Sequence, residues 1–231
     1  MITDFSNREK ECFTFLKLIH KEKKYVIIEG YAVSSFGFPR FSVDLDITIP
    51  ENELPFFKKL ASDNGYEFII GKEDLAYSGK FERYEKDFVS IDLLINGVQS
   101  RQTGYHYPFQ YVFNNSQIRE TIGWDQTNKV KVRIAKKEML IALKIHSMRM
   151  ADTRDIIMLC YEIPDIQIIL NHLKNGPKEK ITEHINELLT VLNDKKLKNS
   201  LKGVYTIDDK LYKRTIKNCK QIMIDVKKQL L

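Results

Sequence analysis

The run Gly30-Tyr-Ala-Val-Ser-Ser-Phe-Gly-Phe-Pro-Arg-Phe-Ser-Val-Asp-Leu-Asp46 carries more structural information than any other part of the chain. Before it stands Tyr25-Val-Ile-Ile-Glu29, a short β-branched, apolar stretch that reads as a buried strand. Gly30 breaks that strand, and Ala32, Val33 and Phe36 supply the apolar side of a short helix. Gly37-Phe-Pro-Arg40 reads as a loop, and Phe41 to Ile49 as a second strand ending at Pro50. Asp44 and Asp46 are two apart on this strand, so their side chains share one face.

Two neighbouring carboxylates repel one another, and a divalent cation resolves the repulsion. Mg²⁺ suits such a pair, because it prefers hard oxygen donors and keeps positions open for phosphate oxygens. A third carboxylate, Asp92, lies in the apolar run Val89-Ser-Ile-Asp-Leu-Leu94, read as a further strand. If that strand pairs beside Asp44-Leu-Asp46, the three acids converge and can hold two metal ions that bind a nucleoside triphosphate and activate a hydroxyl. Upstream, the strand-to-helix turn at Gly30 offers unpaired backbone N–H groups to phosphate. An Asp-x-Asp pair by itself is common on solvated strand faces; here the glycine turn and the third acid accompany it.

In combination, Gly30-x-Ala32, Arg40-x-Ser42-x-Asp44-x-Asp46 and a lone strand Asp (Asp92) resemble the DNA polymerase beta-like nucleotidyltransferase superfamily. Within it the sequence is similar to stand-alone prokaryotic enzymes of the minimal and abortive-infection toxin type. Leu140-Ile-Ala-Leu-Lys144 and Asp152-Thr-Arg-Asp155 fill the places of their later helix motifs. The resemblance spans roughly Tyr25 to Tyr161. It implies that Asp44 and Asp46 hold Mg²⁺ (two ions, with Mn²⁺ as the alternative), while Asp92 completes the set and draws the acceptor's proton. It also implies that Gly30 and its turn, with Ser34 or Ser35, cradle the β- and γ-phosphates, that Arg40 contacts phosphate, and that Lys144 neutralises triphosphate charge. Asp155, with Asp152, would orient Lys144 or Arg149. The family's turn begins with glycine where this chain has Glu29. A carboxylate there either projects toward incoming phosphates or points into solvent, and the first case leaves room for a catalytically silent nucleotide-binding module.

The rest of the first part reads as follows. An opening helix carries Phe13, Leu16, Leu18 and Ile19 on its apolar face, with Asp4 or Ser6 as its cap. An amphipathic helix runs from Glu53 to Asn64 with Phe56, Phe57 and Leu60 inward, then a strand over Glu67 to Ile70. A hairpin of Phe81–Lys86 and Phe88–Ile95 turns at Lys86-Asp87, and a strand covers Val130 to Ile134. Val98 to Trp124 shows no clear period, although Tyr105, Tyr107, Phe109, Tyr111 and Phe113 alternate, either to stack bases or to pack between the two parts. From Lys136 onward the pattern is helical, over 136–150, 153–161, 165–173, 181–192 and 208–230. The expectation is an α+β chain: a nucleotidyltransferase-type mixed β-sheet flanked by helices over 1–135, followed by a C-terminal helical bundle over 136–231, with the active cleft between.

Composition limits the remaining classes. At 231 residues with 43% hydrophobic and 29% charged residues, the chain is of ordinary globular type. No apolar run approaches the roughly 20 residues a membrane helix needs, and the opening residues lack a secretory pattern. Cys12, Cys160 and Cys219 are scattered, which disfavours a disulfide framework or thiolate zinc site and fits a reducing cytoplasm. His20, His106, His146, His172 and His184 show no metal-helix spacing, and His146 is expected to be structural. The net charge of +6 is concentrated at the end, where 14 Lys and Arg face 7 Asp and Glu from His172 onward. Such a surface attracts polyanions or is simply a solvated lysine-rich face. The function expected is therefore NTP-dependent nucleotidyl transfer to a hydroxyl, with RNA such as a tRNA 3′ end as acceptor. A toxin role with an antitoxin partner accompanies it; a protein or aminoglycoside-like small molecule is the alternative acceptor.

Overall fold

The computed structural model describes residues 2–19, 21–42, 44–73 and 80–230. His20 and Val43 lie outside the described residues; of the expected 41–49 strand, Phe41 and Ser42 are not in a strand, which begins at Asp44. The chain forms two compact units. One runs to Gln99 and resumes over His106–Lys136; the other comprises Ser100–Tyr105 and everything from Lys137 on.

The first unit opens with helix α1 (Ile2–Leu18), followed by strand β1 (Val26–Ile27), helix α2 (Glu29–Ser34) and strand β2 (Asp44–Ile49). Next come α3 (Leu54–Asp63), β3 (Glu67–Glu73), β4 (Lys80–Lys86) and β5 (Val89–Ile95). The unit ends with β6 (Gly97–Gln99), β7 (His106–Pro108), α4 (Phe109–Asn114), β8 (Ser116–Ile122) and β9 (Lys129–Ala135). Seven strands make a mixed sheet in the order β3-β4-β5-β2-β1-β9-β8, and β6 pairs with β7 separately. β2 runs parallel to β5 and β1 parallel to β9, while the other neighbours are antiparallel. Helices flank this sheet, with α1 packed on β5 and β9, and α2 on β2 and β8.

The core follows the alternation of the strands. Leu45, Ile47 and Ile49 on β2 and Ile91, Leu93 and Ile95 on β5 are fully buried, leaving Asp44, Asp46, Ser90 and Asp92 on the opposite face. On α1 the inward face is Cys12, Phe13, Phe15 and Leu16, with Ile19 buried just past its end, whereas Leu18, expected there, is exposed. α1 already begins at Ile2, so neither Asp4 nor Ser6 caps it. On α3 the buried residues are Phe57 and Ala61 rather than the expected trio. Phe56 is only half-buried, with the Lys23 ammonium 4.6 Å above its ring.

The stretch without a clear period holds β6, β7, α4 and β8. Its alternating aromatics do not form one strand, because α4 begins at Phe109. Phe109 and Phe113 are one helical turn apart with ring centroids 5.6 Å apart, while Tyr107 stacks on Tyr111 across 5.7 Å. Tyr107 and Phe109 are buried.

The second unit is helical throughout: α5 (Lys137–Ser147), α6 (Met150–Leu159), α7 (Ile166–Leu173), α8 (Lys178–Val191), α9 (Leu197–Lys202) and α10 (Asp209–Leu230). The expected 136–150 helix ends at Ser147 because Met148 adopts a left-handed φ of 44°, and α6 starts two residues later. Asp165 caps α7 by accepting the backbone N–H groups of Gln167 and Ile168. α9 was not anticipated; it is a short helix ahead of Gly203. All three cysteines are buried free thiols. Among the described residues no helix is long and apolar enough to cross a membrane.

Candidate functional site

β2 and β5 place the acids. Their parallel register sets Asp44 beside Ser90 and Asp46 beside Asp92. In register, side chains on neighbouring strands lie about 5 Å apart at Cβ. Asp44, Asp46 and Asp92 therefore share one face of two adjacent strands. Asp44 is exposed and accepts the Ser90 hydroxyl at 2.6 Å; Asp46 is half-buried. Asp92 is buried and bound through both carboxylate oxygens by Arg83, whose Nε donates at 2.7 Å and whose terminal nitrogen donates at 2.6 Å. Arg83 sits on β4 directly opposite Asp92, so Arg83, Asp92 and Asp46 form a row across three strands. The three carboxylates on this face are hard oxygen donors of the kind Mg²⁺ or Mn²⁺ takes, although among the described residues their oxygens do not all lie within 4.8 Å of one another.

Gly30 is the second residue of α2, and its backbone has close neighbours. A Cβ there would lie 2.8 Å from the Ser42 hydroxyl oxygen and 3.1 Å from a terminal nitrogen of Arg40. Only glycine lets the turn approach these side chains so closely. The residue before it, Glu29, holds a left-handed φ of 63°. This is the conformation that makes glycine the residue of least strain at such a position, and the chain places a carboxylate-bearing residue there instead. The Ser34 hydroxyl donates to the Gly30 carbonyl and accepts the Arg40 N–H, while the Ser35 hydroxyl donates to the Ala32 carbonyl. Both serines are buried. Tyr31 donates to the Ser42 carbonyl at 2.6 Å, and Arg119 on β8 donates twice to the Ser35 carbonyl at the end of α2. The Gly30 turn, Ser34, Ser35 and Arg40 thus form one bonded group.

Lys144 and Asp155 lie in the second unit. Lys144 is almost fully buried on α5, its ammonium 2.9 Å from Asp152 and 2.8 Å from Asp155. Arg149 adds two guanidinium donors and its backbone N–H to Asp152, and the Tyr205 hydroxyl donates to Asp155. Burial alone would raise the pKa of Asp152; the Lys144 and Arg149 charges and hydrogen bonds outweigh that and hold it well below the usual carboxylate range. His146, two residues on from Lys144, is buried, stacked 4.9 Å from the Tyr105 ring and hydrogen-bonded at Nδ1 to Thr103.

Sequence reasoning did not single out Ser90, Arg83 or Tyr205. Ser90 carried a usable signal, since it stands two residues before Asp92 and so shares its strand face. Arg83 carried one too, since the expected hairpin around Lys86-Asp87 sets it opposite Asp92; Tyr205 becomes visible only once helix packing is known.

No protein-family model matches the chain, and no curated relative matches it. Among solved structures it is similar to a lincosamide antibiotic adenylyltransferase, LnuA, with lincomycin bound. The identity is 23% and the TM-score 0.43, over 65% of this chain and 95% of that one. It is also similar to the antibiotic-resistance factor ANT(2″)-Ia, at 14% identity and a TM-score of 0.40, over 88% and 92%. A STING-associated CdnE c-di-GMP synthase from Capnocytophaga granulosa shows 14% identity and a TM-score of 0.27, over 99% and 82%. At this level of likeness, chemistry and substrate have to be read from this chain's own residues.

Proposed function

We propose that this protein is a divalent-metal-dependent nucleotidyltransferase that moves a nucleoside monophosphate from an NTP to a hydroxyl. The observation that carries the reading is the placement of Asp44, Asp46 and Asp92 on one face of β2 and β5, with Asp46 and Asp92 in register. These three would hold the cation, which when bound supplies charge neutralisation at the phosphates and lowers the pKa of the attacking hydroxyl. The acceptor oxygen attacks the α-phosphorus, a new P–O bond forms, the bond to the bridging oxygen breaks, and pyrophosphate leaves with the electron pair. The acceptor's proton passes to a site carboxylate, Asp92 in the resemblance. Such transfers depend on positioning and electrostatics more than on covalent help from protein.

On the nucleotide side the proposal uses Gly30, Ser34, Ser35 and Arg40 as one bonded turn, the serines acting through the turn they hold. Lys144 and Asp155 enter it as a positioning pair on α5 and α6. For the acceptor we favour RNA, such as a tRNA 3′ end. The support is the lysine-rich outer side of α10, including Lys210, Lys213, Lys217, Lys220 and Lys228, which faces away from its buried Cys219, Ile222, Met223 and Val226. A toxin role paired with an antitoxin belongs to the same reading.

The test is incubation with each labelled NTP, Mg²⁺ and total tRNA, with Asp44→Asn and Asp46→Ala beside the parent. Label in RNA that both substitutions abolish supports the proposal. Label on a lincosamide, an aminoglycoside or a protein moves the acceptor to that class. No transfer to any acceptor, with NTP binding intact, identifies a silent nucleotide-binding module. Growth arrest on expression, lost in Asp46→Ala, would support the toxin role.

A further inference from the structure

We propose that Arg83 competes with the divalent cation for Asp92, so that its guanidinium sets the metal concentration at which the acidic face loads. The inference rests on the metal reading above and deepens it.

Arg83 binds Asp92 through two separate nitrogens, one to each oxygen. A parallel, two-point contact of this kind takes one in-plane lone pair on each oxygen and sets a positive charge against any cation that approaches the carboxylate. Asp92 is 5% exposed, so it has little room to turn toward water and take a cation from another direction. The Arg83 side chain differs: it is 36% exposed and can swing outward. A second acceptor waits for it on its own strand, since Glu85 stands two residues on, on the same face, with Oε1 4.0 Å from the other terminal nitrogen. The Phe81 ring, 5.9 Å away on the other side, flanks the guanidinium without supplying an oxygen acceptor.

Asp44 and Asp46 are held differently. The Asp44 side chain is exposed and accepts the Ser90 hydroxyl. Asp44 is therefore the first contact for an arriving cation. Closure of the site onto Asp92 requires Arg83 to release at least one of the two oxygens. Arg83 is a positioning residue in this scheme. It keeps the Asp92 carboxylate oriented while no metal is bound and weakens metal binding by the free energy of that displaced contact.

The experiment is Mn²⁺ titration of the full chain without nucleotide, followed by the electron paramagnetic resonance of free Mn²⁺. It compares the parent with Arg83→Gln, Arg83→Ala, Asp92→Asn and the double variant Arg83→Gln/Asp92→Asn, each checked for folding by thermal melting. Arg83→Gln and Arg83→Ala should bind Mn²⁺ roughly tenfold more tightly than the parent, a change expected for loss of one charge-assisted contact. In the Asp92→Asn background the same Arg83 substitution should change affinity little. Unchanged or weaker binding in both Arg83 variants overturns the proposal. Equal tightening with and without Asp92 overturns it too, because Arg83 would then act only through its long-range charge. If neither parent nor Arg83 variants bind Mn²⁺, the metal reading itself has failed, which is a separate outcome.

Discussion

Lys144 places its ammonium 2.9 Å from the Asp152 carboxylate, and both side chains are sealed from solvent. With Asp155 at 2.8 Å on the same ammonium, the α5–α6 corner contains one cation between two anions, plus the Arg149 guanidinium at the rim. Removing one partner of a buried ionic cluster leaves uncompensated charge. Lys144→Ala should therefore cost about 3–5 kcal/mol of stability, measured by urea denaturation. Lys144→Met combined with Asp152→Asn and Asp155→Asn should recover much of that loss. A Lys144→Ala cost below about 1 kcal/mol would show that the cluster does not hold the corner.

Glu29 holds its left-handed φ without being glycine. Replacing it by Ala and by Gly removes the same carboxylate, so the difference between those two variants isolates the backbone. Glu29→Gly should be more stable than Glu29→Ala by about 1 kcal/mol. NTP affinity in the two variants then shows, separately, whether a carboxylate at this turn opposes phosphate.

Gly30 faces the opposite restriction, lack of space. Gly30→Ala should destabilise by about 1–3 kcal/mol, since its Cβ would meet the Ser42 side chain. Ser42→Gly should relieve most of that cost in the double variant, while having little effect alone. Additive costs in the double-mutant cycle would remove the steric explanation.

His146 links stability to pH. Burial pushes its imidazole down to about 4, with the nearby charge of His184 acting in the same direction. In the unfolded chain the ring titrates near 6.5, so between pH 6.5 and 4 the unfolded state binds the extra proton. Stability from this group is full above pH 6.5 and is lost as pH falls toward 4, at no more than about 1.4 kcal/mol per pH unit. Urea midpoints across that range should show the slope, and His146→Gln should flatten it.

The acids on β2 and β5 could be read in advance because alternation along a strand is local: Asp44 and Asp46 share a face wherever the strand lies. The pairing partner of that face could not. Register between β2 and β5, more than forty residues apart, depends on the whole sheet. Arg83 is a different case: it stands nine residues from Asp92 across a hairpin, so the turn after Lys86 places the two opposite one another and only the arginine's role went unread. The Glu29 conformation escaped for another reason. Left-handed backbone is inferred from glycine, and here the residue that adopts it has a full side chain. The aromatics from Tyr105 to Phe113 illustrate a false period. Every second residue is aromatic, yet Phe109 and Phe113 meet as helical neighbours, and a strand and a helix meet at Pro108. Elsewhere helix boundaries moved by a few residues, most visibly at Met148, where the backbone reverses without a glycine or proline to announce it.

The parallel β2–β5 pairing also has a kinetic side. Parallel neighbours cannot be joined by a tight turn, and here the connection passes through α3 and both strands of the β3–β4 hairpin before Asp92 reaches Asp46. Closing so long a loop belongs to the slow, non-local end of folding. The acidic face therefore comes into existence only when the β3–β4–β5–β2 half of the sheet has assembled, and before that Asp92 stands apart from the β2 carboxylates with little hold on a cation. Ion uptake, followed in time during refolding, would act as a clock for the last step of that assembly.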